Sequence, residues 1–193
     1  MKFISKRYLI KIPSEIDVLY CEKNKNIVIK TKFFTKLVPL KVKVLIIKEK
    51  NVIVVTNLPF TKTSNKLRKQ FKSLQGTATA LIKKALHEVS SVTFKKLKLV
   101  GVGYKVFDAK TSTTNTKLLH FKLGYSHSIY YKIPESVLIK SRQSTKLFIS
   151  GHDFDKVSQI TAILKSCKLP EPYKGKGILH SGEVIRLKDG KKV

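Results

Sequence analysis

The chain has 193 residues, of which 42% are hydrophobic, and this is enough apolar side chain to close a core and to exclude wholesale disorder. Lysine and arginine number 40 against 12 acidic residues, which leaves a formal net charge of +28 at pH 7. An excess of this size indicates a polyanionic partner, and its spread along the whole chain favours nucleic acid over an anionic membrane surface or an acidic protein.

Short stretches of the first half alternate apolar and charged residues, the pattern of a half-buried antiparallel sheet. Strands are predicted here over Tyr8–Ile12, Ile16–Tyr20, Ile27–Ile29, Lys36–Leu40, Val42–Ile47 and Val52–Val55. A helix is predicted over Lys66–Val89, where apolar residues recur at steps of three and four. We interpret Gly76 inside this helix as a glycine that packs closely on the sheet, since it otherwise costs the helix about 1 kcal/mol relative to alanine.

The second half repeats this plan. A second helix is predicted to begin at His152 or Asp153 and to end before Pro170, followed by a basic loop and a short last strand over Glu183–Leu187. Before that helix, strands are predicted over Phe94–Val106, Lys117–Leu123, Ile129–Ile133, Val137–Lys140 and Lys146–Ser150. The predicted fold class is therefore α+β, with two tandem similar domains that each pack a mostly antiparallel sheet against one main helix. Residues 1–92 would form the N-terminal domain and residues 93–193 the C-terminal domain.

Several classes of function lack the residues that they need. Cys21 and Cys167 stand far apart, the five histidines show no metal-ligand spacing, and no nucleophile, base and acid can be grouped. Gly101 and Gly103 lack the third glycine of a dinucleotide fingerprint, and no P-loop is present. We therefore predict no enzyme activity, no metal and no cofactor. The sequence contains no run of about 18 apolar residues, so no membrane-spanning helix is predicted.

The strongest local signal is the loop Pro170–Ile178, with the sequence PEPYKGKGI. Glycines allow close approach of the backbone and can present N–H groups, lysines supply charge, and tyrosine offers a stacking face, a combination suited to a phosphate backbone. On these grounds alone, an ordinary connection with incidental lysines is an equal alternative. Only four of the basic residues in the chain are arginines, which favours recognition of backbone and shape over base edges.

Four motifs resemble those of one family. The sequence PEPYKGKG at Pro170–Gly177 resembles the C-terminal signature of the bacterial-type ribosomal protein L six (L6) family. LVGVGYKV at Leu99–Val106, LGYSH at Leu123–His127 and LQGTATAL at Leu74–Leu81 resemble three further motifs of that family, in the family's order. The resemblance extends over roughly residues 7–192 and is tightest from Lys95 onward, whereas a polar stretch at Asp108–Lys117 lengthens one hairpin relative to compact bacterial members.

The resemblance implies a structural constituent of the large ribosomal subunit with no catalytic step. Its partners would be large-subunit rRNA around the sarcin-ricin loop and neighbouring ribosomal proteins, with translational GTPases nearby, and no membrane. The implied rRNA-binding residues are Tyr173, Lys174, Gly175, Lys176, Gly177 and Lys168, with Lys191 and Lys192 in the tail and Lys95, Lys96 and Lys105 as secondary choices.

The expected location is a mitochondrial matrix ribosome, with a plastid or a bacterial cytoplasm as alternatives. Lysine bias and the longer hairpin favour an organelle-encoded copy, and Met1–Lys11, which is not an arginine- and serine-rich transit peptide, is expected to belong to the mature protein. The competing hypothesis is a non-ribosomal RNA- or DNA-binding chaperone or nucleoid protein, because the charge alone permits it equally.

Overall fold

The structure is a computed structural model that describes residues 6–32, 34–60, 68–110 and 117–190. The chain divides into two compact units, Met1–Ser91 and Val92–Val193.

The first unit contains two antiparallel sheets and one long helix. Its strands β2, β3 and β4 form one sheet with β3 in the centre, and β1, β6 and β5 form the other with β6 in the centre. The helix α1 contributes buried residues to the same core as both sheets, among them Ile82. The bounds are β1 Leu9–Lys11, β2 Asp17–Cys21, β3 Asn26–Lys30, β4 Thr35–Pro39, β5 Val42–Ile47, β6 Val52–Pro59 and α1 Arg68–Ser90. Short 3₁₀ turns lie at Lys6–Tyr8 and Lys48–Lys50.

The second unit repeats this architecture and adds one strand. Strands β8, β9 and β10 form a three-stranded sheet with β9 in the centre, and the larger sheet has the order β11-β12-β7-β13, all antiparallel. The bounds are β7 Thr93–Val100, β8 Lys105–Lys110, β9 Lys117–Lys122, β10 Ile129–Lys132, β11 Leu138–Gln143, β12 Lys146–Gly151, α2 Phe154–Ser166 and β13 Gly177–His180.

The connectivity of the two units matches strand for strand. In each, the first strand pairs with the sixth, the fifth also pairs with the sixth, the second to fourth form a separate meander, and the helix follows the sixth. The predicted α+β fold class is confirmed, with the refinement that each unit folds its strands into two sheets. Each meander buries one face and exposes the other, as the alternation of burial along its central strand shows.

Two strand predictions are wrong. The strand predicted over Phe94–Val106 is interrupted, because Gly101 and Gly103 adopt φ angles of +149° and +77° and reverse the chain between β7 and β8. The last strand lies at Gly177–His180, not at Glu183–Leu187. Ile178 is fully buried in the core at that earlier position, whereas residues 183–187 have no strand structure.

The interpretation of Gly76 as a packing glycine is also wrong. Gly76 is an exposed residue of α1, and a Cβ atom built there would meet no atom within 4 Å, leaving aside the helix's own nearby backbone. Among the described residues of the first unit, no contact at this position compensates the helix for the cost of the glycine.

Candidate nucleic-acid interface

The segment after α2 forms a loop that is closed by its own backbone. The N–H of Ile178 donates to the carbonyl of Lys168 at 2.9 Å, and the N–H of Glu171 donates to the carbonyl of Lys176 at 3.0 Å. The N–H of Gly175 donates to the carbonyl of Glu171 at 2.9 Å, which tightens the tip. These bonds join the end of α2 to the start of β13, so the loop is fixed to the two elements that flank it.

Both glycines of the loop meet a backbone requirement. Gly177 has φ +154°, and a Cβ atom there would lie 2.6 Å from the Cα of Pro170 and 2.8 Å from the carbonyl oxygen of Leu169. Gly175 has φ +67°, a conformation that residues with a side chain rarely adopt. The N–H of Gly175 is already used inside the loop, so the glycines act here by allowing closure of the chain.

The loop presents its tyrosine and lysines outward. Tyr173 is 54% exposed, Lys174 is exposed, and Lys176 is half-buried. The N–H of Lys188 donates to the carbonyl of Pro172 at 2.9 Å, which holds the following segment against the loop. Lys188 was not among the predicted residues, although it precedes Lys191 and Lys192 in the basic tail; those two lysines lie outside the described residues.

A second cationic and aromatic group lies at the base of the loop. The Nζ of Lys168 sits 4.0 Å from the ring centroid of Tyr125, within cation–π distance. The ring of Tyr125 stacks on that of His127 at 5.7 Å and 16°, and its hydroxyl donates to the carbonyl of Cys167 at 3.2 Å. The predicted residue Lys168 is thus held by the LGYSH motif, whose Tyr125 and His127 were missing from the predicted site.

Tyr104 connects two of the sequence motifs. A Cβ atom at Gly101 would lie 2.8 Å from the ring of Tyr104, and one at Gly124 would lie 3.1 Å from it. The absence of side chains at these two glycines therefore lets the Tyr104 ring pack against both turns. The close approach is confined to the first of the two glycines in LVGVGYKV, since a Cβ at Gly103 would meet nothing within 4 Å.

Two of the secondary lysines, Lys95 and Lys96, do not share a surface. Lys95 and Lys96 are consecutive in β7 and so point to opposite faces of its sheet. The Nζ of Lys95 lies 5.4 Å from the ring of Phe154, and that of Lys96 lies 5.2 Å from the ring of Phe148. Lys105 opens β8 in the smaller sheet.

An ion pair joins α2 to the segment that follows β13. The Nζ of Lys165 in α2 lies 2.6 Å from the Oε1 of Glu183, whose Oε2 accepts the backbone N–H of His180 at 2.9 Å. The hydrogen bond from Lys165, followed by that from His180, lowers the pKa of the Glu183 carboxyl group.

Burial raises the pKa of the Cys167 thiol, which favours its neutral form. Within each unit, the described residues bring no three metal-ligating side chains together.

One protein-family model matches the part of the chain that contains this loop. The family model "Ribosomal protein L6" matches residues 100–181, which include the LGYSH turn and the PEPYKGKG loop. Among the described residues, no helix is long and apolar enough to cross a membrane.

Three relatives, each called large ribosomal subunit protein uL6, are similar to the chain. The protein of Malacoplasma penetrans is 40% identical over 184 residues, which span 95% of this chain and 92% of that relative. The protein of Neisseria meningitidis serogroup B is 37% identical over 132 residues, or 68% of this chain and 71% of the relative. That of Buchnera aphidicola from Acyrthosiphon pisum is 44% identical over 117 residues, or 61% and 63%. The chain therefore belongs to the ribosomal protein L6 family, a family of structural proteins of the large ribosomal subunit.

Proposed function

We propose that the protein is a structural constituent of the large ribosomal subunit that binds large-subunit rRNA through its second unit and supports translation. The observation that carries this proposal is the loop that presents Tyr173, Lys174 and Lys176 from a hydrogen-bonded frame within the segment that matches the family. A loop that is already ordered loses little conformational entropy when it binds, so its charges can be used fully for affinity.

The proposed contact is to the phosphate backbone. Lysine ammonium groups on Lys174 and Lys176 would neutralise phosphates, and Tyr173 would stack on an unpaired base or pack against a ribose. Lys168, held over the Tyr125 ring, and Lys188, beside Pro172, extend the positive surface around the loop. Gly175 and Gly177 would contribute by shaping the loop that carries these side chains.

The family resemblance supports a more specific location. We propose that the loop touches the sarcin-ricin region of large-subunit rRNA near the factor-binding region, with neighbouring large-subunit proteins as further partners and translational GTPases nearby. Of the secondary lysines, Lys95 and Lys96 would meet different parts of the RNA because they point to opposite faces of one sheet, and Lys105 would add a contact from the smaller sheet.

We also propose that the ribosome is mitochondrial, with plastid and bacterial ribosomes as the alternatives. The support is the preference for lysine over arginine, which AT-rich organellar genomes favour, and the longer hairpin at Asp108–Lys117, of which residues 111–116 lie outside the described part of the chain. The relatives named above are bacterial. Locating the coding sequence in a nuclear, organellar or bacterial genome tests this assignment directly.

The loop is tested with a double variant, Lys174→Ala with Lys176→Ala. In filter binding to large-subunit rRNA, the plot of log affinity against log salt should lose about 1.4 to 1.8 units of slope, as expected for two phosphate contacts. The matched control is Lys48→Ala with Lys50→Ala, which removes the same charge at the same spacing from an exposed turn of the first unit. An equal change of slope in both variants would show that charge alone, and not the loop, determines binding.

Association with the ribosome is tested by sedimentation of the tagged full-length protein through a magnesium-containing gradient. We expect it to run with large subunits at physiological salt and at a fixed ratio. Recovery only in the free fractions, with RNA binding retained, would support the non-ribosomal chaperone or nucleoid hypothesis instead.

A further inference from the structure

An aromatic row crosses the exposed face of the sheet β8-β9-β10. Phe107 pairs with His120 across β8 and β9, and His120 pairs with Tyr130 across β9 and β10, so the three rings follow one line perpendicular to the strands. The rings of His120 and Tyr130 are stacked at 4.8 Å and 12°, and those of Phe107 and His120 lie 6.0 Å apart at 34°. We call Phe107, His120 and Tyr130 the aromatic row.

The aromatic row is not part of the core. The opposite face of the same sheet buries Val106, Leu119 and Phe121 in the core of the second unit. Phe107 is 41% exposed and Tyr130 is 62% exposed, while His120 is half-buried between them. Because His120 covers one face of the Tyr130 ring, this large exposed fraction leaves room for a further flat ring on the other side.

The side chains around the aromatic row are cationic. Lys105 and Lys122 are paired across β8 and β9 on the same face, and Lys132 follows Tyr130 by two residues on β10. Among the described residues of these three strands, no acidic side chain alternates onto this face. Like charges that face each other across strands repel. An anion bound between Lys105 and Lys122 would relieve this repulsion, which favours binding of a phosphate there.

From this arrangement we propose that the aromatic row is a second RNA-binding surface, which stacks an unpaired base of a single-stranded segment on Tyr130 while Lys105, Lys122 and Lys132 bind the adjacent phosphates. Stacked aromatic rings combined with flanking cations are the combination that single-stranded nucleic acid needs, and every base offers a face for stacking. The inference rests on the proposed function in that both take RNA as the partner, but it uses none of the residues of the Pro170–Ile178 loop.

The test uses full-length protein and a single-stranded RNA of about ten nucleotides that carries one 2-aminopurine, a base whose fluorescence falls on stacking. Tyr130→Ala should weaken binding of this RNA about tenfold, the change expected for the loss of one base–aromatic stack, and should abolish the quenching. Tyr130→Phe keeps the ring and should retain both. Leu37→Ala is the matched control, since it truncates an exposed apolar residue of the corresponding sheet of the first unit.

Equal affinity and equal quenching in wild type and Tyr130→Ala would overturn the proposal. A Tyr130→Ala protein that binds RNA normally but no longer sediments with large subunits would also overturn it, because the aromatic row would then contact a protein. The Lys174→Ala, Lys176→Ala variant separates this inference from the proposed function. If that variant loses rRNA affinity but still quenches 2-aminopurine, the two surfaces are distinct as proposed. If only Tyr130→Ala leaves affinity and quenching unchanged, the second surface is refuted and the proposed function is not.

Discussion

The sheets β2-β3-β4 and β8-β9-β10 occupy corresponding positions in the two units, yet their exposed faces differ in chemistry. Where the second unit has the aromatic row, the first has Leu19, Val28 and Leu37 in the same cross-strand register, with Leu19 65% and Leu37 56% exposed. Aliphatic side chains offer neither a stacking face nor a cation–π partner.

The residues beside these rows differ as well. In the first unit, Asp17 pairs with Lys30 across β2 and β3, so opposite charges meet on the exposed face. In the second, Lys105 meets Lys122 at the comparable place. The buried faces are apolar in both units, since β3 buries Ile27 and Ile29 and β9 buries Leu119 and Phe121. One backbone plan can therefore keep its core chemistry while its two copies acquire different partners, since the two faces of a strand vary independently.

The ends of the helices differ most. Beyond α1 the chain passes within three residues to β7, whereas beyond α2 it forms the Pro170–Ile178 loop and then β13. This loop lies within the segment that matches the family model, and the described residues that follow α1 form no comparable loop.

Gly177→Ala should have the largest effect on stability, and this effect should be confined to the second unit. The added Cβ would meet backbone atoms of Pro170 and Leu169, so the loop must open, and we expect a loss of about 2 to 4 kcal/mol in unfolding free energy together with weaker rRNA binding. Urea unfolding measures it. Gly182→Ala is the control, because Gly182 also has positive φ, +92°, but no atom within 4 Å of its Cβ position. Equal losses in the two variants would show that φ alone, and not the close approach, is responsible.

Gly76→Ala sharpens the comparison of the helices. Alanine at this exposed position of α1 should raise the unfolding free energy by about 0.5 to 1 kcal/mol, since no described residue of the first unit obstructs its methyl group. Thermal unfolding should show the increase in melting temperature. A decrease would mean that the glycine meets a constraint within the first unit that the helix geometry does not reveal. Stabilisation with loss of ribosome association would instead locate a close external contact at this point of α1.

Glu183→Gln should have the smallest effect. Because Lys165 lowers the pKa of the folded carboxyl group, the ion pair stabilises the protein at pH values above the unfolded pKa of about 4.3, and this stabilisation is lost as pH falls through the lowered folded pKa. An exposed pair of this kind contributes less than about 1 kcal/mol. Unfolding curves of variant and wild type should differ at pH 7 and converge in acid; a difference that persists unchanged in acid would exclude the ion pair as its cause.

Periodicity predicted both helices and most strands because burial imposes it directly on the sequence. It failed at Gly101, where the apolar alternation of Leu97 and Leu99 resumes at Val106 after a turn and so resembles one long strand. It also mistook Val184 and Ile185 for strand residues, although the core takes Ile178 and Leu179 instead. Which of the two apolar segments is buried depends on where the preceding loop closes.

The loop of the candidate site was predictable from its contiguous sequence, but the surface around it was not. The loop residues Tyr173 and Lys174 are contiguous in sequence, so their composition alone drew attention to them. The contact of Lys168 with Tyr125 joins residues far apart in the chain, so no local sequence pattern announces it. The aromatic row draws one residue from each of three strands, so only their register brings it together.

The hydrogen bond from Ile178 to Lys168 joins the end of α2 to the strand that completes the larger sheet. Any RNA held by the loop would therefore be linked to the folding equilibrium of the entire second unit. By mass action, rRNA at one hundred times its dissociation constant would add about 2.7 kcal/mol to the stability of that unit. During assembly of a subunit, the folded chain and the bound chain would then accumulate together, and copies left without RNA would be the ones most open to proteolysis.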